Sequence, residues 1–278
     1  MDLNWLHSLF YGFIAGIADI LPVSAQAHKV MLLKFFGAKQ GSDLLEFLIH
    51  VAVFAALYYG SQSHLIRMGR ARALSRVPKK KRKRPLDVRS LMDWSMLKTM
   101  ILPVILGMLL YPATQKIRSN LVIIALLLFL NGVLLYIPQF LPSSNKDSRT
   151  LSRVEGLLMG LGGAASVLPG ISAVGSAVSI GSICGVEKGF CLNMAILMNL
   201  AVVAGFGVHD LIGLFQGGLE TLSVMLLLRY LLTAVAAFCG TTLGLRLMRH
   251  LSKERGYGLL GVYCWGLALF AFIINLMA

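Results

Sequence analysis

Residues 121–138 read LVIIALLLFLNGVLLYIP, without a charged side chain. A bilayer core is about 30 Å thick, and a helix needs about 20 residues to cross it. Stretches of this kind recur along the 278-residue chain, which is 57% hydrophobic and only 14% charged. Its mean hydropathy is +0.76. A soluble domain carries roughly a quarter charged residues, so this chain lacks the polar surface a soluble fold needs. Inside a bilayer every backbone polar group must be satisfied within the protein, which leaves helices or closed barrels. Barrel strands alternate apolar and polar residues. Here the runs are continuous, as in LLTAVAAFCG at 231–240. The chain is therefore expected to be an all-α integral membrane protein.

Two apolar stretches are interrupted in nearly the same way, by LPVSAQAH at 21–28 and by LPGISAVG at 168–175. The apolar segment before the first break covers about 3–21, and the one after it, about 30–37, is too short to cross. Together they predict a re-entrant helical hairpin over about 3–37, and the second break predicts another over about 156–186. Six full spans fit about 44–60, 99–113, 121–138, 190–208, 222–245 and 257–277, the second short and broken near Pro103 and Pro112. A hairpin returns to its own side, and three crossings then change sides. The second set must enter from the opposite face. This predicts an inverted-topology repeat of two units, 1–138 and 139–278. Such repeats place their sites where broken helices meet near the midplane.

Charge sets the expected orientation. The net charge is +14, and loop 61–98 holds twelve Lys/Arg against two Asp, including KKKRKR at 79–84. A run like that can mark a nucleic-acid patch. In a membrane protein, basic loops collect on the cytoplasmic side and suit anionic lipid headgroups, so no nucleic-acid partner is expected. Loop 139–155, with Lys146, Arg149 and Arg153, falls on the same side, as does 246–256, with Arg246, Arg249, Lys253 and Arg255. Both termini are then outside. The start, MDLNWLHSLF, lacks a basic signal region and is expected to be mature chain. Cys184, Cys191, Cys239 and Cys264 have no metal-type pairing and read as small packing residues.

The stretch GIADILPVSAQAH at 16–28 resembles the pattern E-G-x-T-E-F-L-P-V-S-S-T-G-H. That pattern marks the bacterial undecaprenyl-pyrophosphate phosphatase family of the bacitracin-resistance type. LPGISAVGSA at 168–177 is similar to the family's P-G-x-S-R-S-G-A-T motif. LEFLIHVAVFAAL at 45–57, LPVILGMLL at 102–110 and VYCWG at 262–266 fall in order with further family segments. The resemblance covers nearly the whole chain. It implies six spans with two re-entrant hairpins in the bacterial plasma (inner) membrane. It also implies removal of one phosphate from undecaprenyl pyrophosphate, the lipid carrier of cell-wall precursors, at a site open to the outer face.

The motifs depart from the family at reactive positions. Ala15 stands for the first glutamate, Asp19 for the second, Ala25 for the second serine, and Gln26 and Ala27 for Thr-Gly. Ala173 replaces an arginine expected to grip pyrophosphate, Val174 a serine, and Cys264 the arginine after Tyr263. Cleaving a pyrophosphate needs a nucleophile, an acid or base, and cations for the transferring phosphoryl. Each lost group of this kind typically costs on the order of 10²- to 10³-fold in rate.

The residues that remain define the candidates. Asp19, Ser24 and His28 are the catalytic set that the resemblance implies. Lys29, Glu46, His50, Gly170, Ser172, Gly175 and Ser176 are the candidate substrate contacts. Asp19 lies in an apolar run, where an ionisable group marks function by default; its alternative is a structural cap. Ser24 and His28 either act chemically or satisfy backbone freed by Pro22. Glu46 and His50 are one helical turn apart on one face and either line the site or sit near an interface. Ser172, Ser176 and Ser179, with Gly170 and Gly175, form either an anion nest or a small-residue packing face. Asn193 and Asn199 are expected to cross-link helices.

Two functions follow. One is a phosphatase acting on polyprenyl diphosphate, with a divalent cation, Mg or Ca, left open as cofactor and Asp19 its candidate ligand. The other is a relative without the chemistry that binds or translocates polyprenyl phosphate or another lipid, a use suited to inverted repeats. A scaffold recruiting partners through the basic loop is a weaker third reading. A homodimer is left open.

Overall fold

The computed structural model describes residues 4–38, 42–142, 145–217, 223–253 and 257–277. Among these, ten α-helices carry the fold: α1 (Trp5–Ile20), α2 (Ala25–Phe35), α3 (Asp43–Ser75), α4 (Val88–Leu110), α5 (Leu121–Tyr136), α6 (Arg153–Ala164), α7 (Ala173–Ile183), α8 (Lys188–Gly217), α9 (Val224–Lys253) and α10 (Tyr257–Met277). Six of them, α3, α4, α5, α8, α9 and α10, are long and apolar enough to cross a membrane. The chain is a multi-pass helical membrane protein. The remaining four, α1, α2, α6 and α7, are shorter and flank the two breaks.

Local signals set several helix starts. Asn4 caps α1 by accepting the His7 N–H, Asp87 caps α4, and Asn120 caps α5. Ser152 and Glu155 form a reciprocal capping box at the start of α6. Each cap satisfies a backbone donor that has no partner within the helix.

The helices outrun the apolar windows. The segment expected as loop 61–98 is helical to Ser75, and α4 begins at Val88. Membrane thickness limits the apolar stretch, not the helix, so α3 continues past it through Arg67, Arg70 and Arg72. Helix α9 likewise runs through the expected connection to Lys253, while Arg255 lies outside the described residues. The break expected at Pro103 is absent, because Pro103 is buried inside a continuous α4. A missing N–H costs one helix bond, and packing of neighbouring helices compensates for it. At Pro112 the chain does leave the α-helix, for a 3-10 turn over Tyr111–Ile117.

Small residues bring helices close, as expected where lipid supplies no hydrophobic drive between them. Gly12 and Gly16 on α1 lie against Thr233 and Ala237 of α9, and Gly240 and Gly244 of α9 lie against Phe13 and Ile17 of α1. In the same way Gly156 and Gly160 of α6 rest on Met96 and Met100 of α4. The main pairings are α1 with α9, α4 with α6, α3 with α8, and α5 with α10. This set maps onto itself when α1–α5 are exchanged with α6–α10. Large apolar side chains such as Leu106, Leu126, Val235 and Leu269 are exposed on the outside. Cys191 and Cys264 are buried packing residues, but Cys239 is exposed on α9.

Candidate functional site

The two breaks meet inside the bundle. After α1, Pro22 cannot continue the helix, and Ser24 adopts a φ of 66° before α2 starts. That left-handed conformation is costly for a residue with a Cβ, so the surroundings must hold it. They do so from the other break: the Gly170 N–H donates to Ser24 Oγ at 3.0 Å. Gly170 itself has a φ of 121°, which only glycine adopts readily. Asn131 of α5 joins both turns. Its amide nitrogen donates to the Pro22 carbonyl at 2.8 Å, and its oxygen accepts the Ser172 N–H at 2.9 Å. Gly175 packs its Cα against the Pro22 ring.

A small cleft, with a cavity volume of about 30 Å³, lies beside this junction. Asp19, Lys29, His50 and Ser172 line it, together with apolar walls that include Ile49, Val53, Ile171 and Phe206. Ala15, Ala25 and Ala173, the three alanines that stand for a carboxylate, a hydroxyl and a guanidinium in the related motifs, all face it.

Lys29 and His50 belong to a hydrogen-bonded chain that runs behind the lining. Lys29 Nζ is 2.6 Å from Glu46 Oε2 and 3.3 Å from His50 Nε2. Lys29 and His50 are only 7% and 6% exposed. Tyr11, fully buried, donates its hydroxyl to the second Glu46 oxygen. On the far side of the imidazole, His50 Nδ1 is 2.5 Å from Asp210 Oδ2. Asp19 accepts a bond from Asn199 Nδ2 at 2.9 Å, so Asn199 cross-links helices as expected. Glu46 and His50, one turn apart on α3, thus both serve the site side of the helix. Asp210, Tyr11 and Asn131 are the participants that the motifs did not reveal.

Other candidates stand behind the lining. Neither Ser24 nor His28 lines the cleft. The His28 ring uses both nitrogens: Nδ1 bonds to the Ser24 carbonyl at 2.8 Å, and Nε2 to the Tyr263 hydroxyl at 2.8 Å. A carbonyl can only accept, so Nδ1 carries a proton. His28 and Ser24 therefore satisfy backbone freed by the break. Gly170, Gly175 and Ser176 are also outside the lining. The Ser176 and Ser179 hydroxyls are buried without a protein partner, and Ser172 caps α7 by accepting the Gly175 N–H at 3.2 Å. Among the described residues, no three His, Cys, Asp or Glu side chains converge to hold a metal ion.

The helices and the cleft define a polytopic membrane protein with an ionisable pocket built where two interrupted helical segments meet. The chain matches the family described as bacitracin resistance protein BacA over residues 8–270, and it belongs to that family. It is 24% identical to an undecaprenyl-diphosphatase of Methanobrevibacter smithii over 278 residues, 98% of each chain. It is also 24% identical to undecaprenyl-diphosphatase 1 of Shouchella clausii, across 98% of this chain and 97% of that one. With undecaprenyl-diphosphatase 2 of Burkholderia ambifaria it shares 26% over 264 residues, 92% of this chain and 91% of that one.

Proposed function

We propose that the protein takes a polyprenyl diphosphate from the bilayer, seats its headgroup in the cleft and releases the terminal phosphate. The observation that carries this reading is the cleft itself, lined by Lys29, His50 and Asp19 together with apolar side chains. Lys29 supplies a cation beside the headgroup, and its own charge is held in place by Glu46. Ser172 and the alanine-lined space opposite leave room for phosphate oxygens. Ser24, His28, Gly170, Gly175 and Ser176 shape the two turns. The lipid tail remains among the outward apolar side chains. Mg²⁺ or Ca²⁺ bound with substrate is compatible with this lining, because Mg²⁺ is ordinarily held by one or two carboxylates plus phosphate oxygens. Asp19 is the carboxylate that would contribute, and the ion would offset charge on the phosphates.

The reading includes the topology. Two units, 1–138 and 139–278, form an inverted repeat with re-entrant breaks, which is supported by the helix pairings that interchange α1–α5 with α6–α10. Residues 61–98 face the cytoplasm of a bacterium, near anionic headgroups, and both termini lie outside its plasma membrane. The basic composition of that segment supports this side.

The test is phosphate release from undecaprenyl diphosphate by purified protein with Mg²⁺ or Ca²⁺. Release by the wild type, lost in Asp19→Asn and in Lys29→Met, supports the reading. Wild-type release no greater than that of a variant carrying both Asp19→Asn and Lys29→Met overturns it, and headgroup-dependent flipping in liposomes would then mark a lipid translocator instead.

A further inference from the structure

The cleft holds one reactive atom that the family motifs do not assign. His50 is fixed from both sides, with Asp210 Oδ2 at 2.5 Å from Nδ1 and Lys29 Nζ at 3.3 Å from Nε2. A carboxylate faces Nδ1 and an ammonium faces Nε2, so the partners select the tautomer. Nδ1 bears the proton, and Nε2 presents a lone pair. Phe206 stacks on the ring at 5.7 Å between centroids and helps fix its plane.

The hydroxyls of the cleft are placed differently. Ser166 donates its proton to the Gly163 carbonyl at 2.7 Å, and Ser172 Oγ is occupied by the Gly175 N–H. Neither is bonded to a carboxylate or an imidazole. A hydroxyl must lose a proton as it attacks phosphorus, and neither of these is hydrogen-bonded to a base that would take it. An imidazole Nε2 has no proton to lose, and its lone pair would exchange the Lys29 N–H for phosphorus as the headgroup enters. Lys29 is already beside that nitrogen, where charge would build on the transferring phosphoryl oxygens.

We propose that His50 Nε2 is the phosphoryl acceptor of this cleft, with Asp210 as its positioning residue and Lys29 as the cation on the phosphoryl group. The assignment rests on the diphosphate reading above. In the first step a bond forms between Nε2 and the terminal phosphorus. The bond from that phosphorus to the bridging oxygen breaks, and polyprenyl monophosphate leaves with the electron pair as an anion, needing no proton. The Nδ1 proton stays on the ring against Asp210. In the second step water attacks the phosphorus, the N–P electron pair returns to Nε2, and both water hydrogens leave on inorganic phosphate. This chain would thereby run phosphoryl transfer without the carboxylate, serine and arginine that Ala15, Ala25 and Ala173 replace.

The experiment is a single turnover with undecaprenyl diphosphate radiolabelled in its terminal phosphate, quenched in detergent at neutral pH and then divided among acid, alkali and hydroxylamine. The expected result is label on the protein that survives alkali and is lost in acid, as phosphohistidine is. His50→Gln should lose the label and on the order of 10²-fold or more of the release. Asp210→Asn should slow labelling without changing its acid lability, and Asp210→Glu should restore part of the rate. A purely structural role for Asp210 would not separate labelling rate from gel-filtration behaviour in this way. Wild-type release without acid-labile label overturns the assignment and leaves the diphosphate reading standing. Label removed by alkali and hydroxylamine, the behaviour of an aspartyl phosphate on Asp19, overturns it too. Acid-labile label without release upholds His50 and overturns only the hydrolytic half of the reading. Neither label nor release overturns both.

Discussion

The hydroxyl oxygen of Ser24 accepts the Gly170 N–H at 3.0 Å, joining two points 146 residues apart in the chain. Each residue sits at an interrupted helix, and each has a positive φ. The strain of one turn is thus held by the other, and the cleft exists because the two turns are in register.

Asn131 holds the same junction from α5. Asn131→Ala leaves the Ser172 N–H buried without its partner and the Pro22 carbonyl with only the weak Cys264 thiol donor, at 3.9 Å. Each such group costs about 1–3 kcal/mol. Thermal unfolding in detergent should show a clear loss of stability, and phosphate release should fall with it as the cleft loosens. An unchanged melting temperature would mean that the two turns are held by other contacts.

Lys29 and Glu46 form a buried ion pair at 2.6 Å, with side chains 8% and 16% exposed. Removing one partner strands the other charge in low dielectric, at about 3–5 kcal/mol. Lys29→Met and Glu46→Gln should therefore each destabilise the protein more than the double variant does. Additive losses in a double-mutant cycle would show that the pair is not coupled.

Close approach of α1 and α9 makes a further test. A methyl group at Gly16 would collide with the Ala237 backbone, whereas one at Gly69 meets nothing within 4 Å. Gly16→Ala should lower the melting temperature. Gly69→Ala should hold or raise it, since alanine favours helix over glycine by about 1 kcal/mol. Equal effects would contradict the α1–α9 packing.

Orientation is tested in intact cells. In a background with the four native cysteines replaced by alanine, Lys80→Cys should resist a membrane-impermeant maleimide and Lys116→Cys should react. The reverse pattern would invert the topology.

Much of this was legible in the chain. The uninterrupted apolar runs gave helices, because in a bilayer nothing else satisfies the backbone there. Pro22 and Gly170 marked the breaks because proline and glycine have few other uses inside an apolar segment. Helix ends were not legible: Arg67 and Arg72 are hydrophilic yet helical, since a helix that leaves the membrane loses no hydrogen bonds in water. Pro103 was misleading because burial among α4's neighbours outweighs one missing bond. Lys29, Glu46 and His50 were visible as ionisable groups near apolar runs. Asp210 and Asn131 carried the same signal, a polar side chain in VVAGFGVHDLIGLF and in LLLFLNGVLLY, but lay outside the motifs that drew attention. Their partners, 160 and 109 residues away, could not be paired without the fold.

The central claim is that the headgroup occupies the cleft between the two breaks. The direct measurement is photo-cross-linking with a polyprenyl diphosphate that carries a diazirine beside its phosphates, followed by peptide mapping. Label is expected on segments 15–29, 49–53, 166–173 and 199–206, which border the cleft. It should be displaced by unlabelled undecaprenyl diphosphate and lost in Ala173→Trp, which fills the cleft without removing a charge. Label confined to the outer faces of α9 and α10, unaffected by Ala173→Trp, would contradict the account.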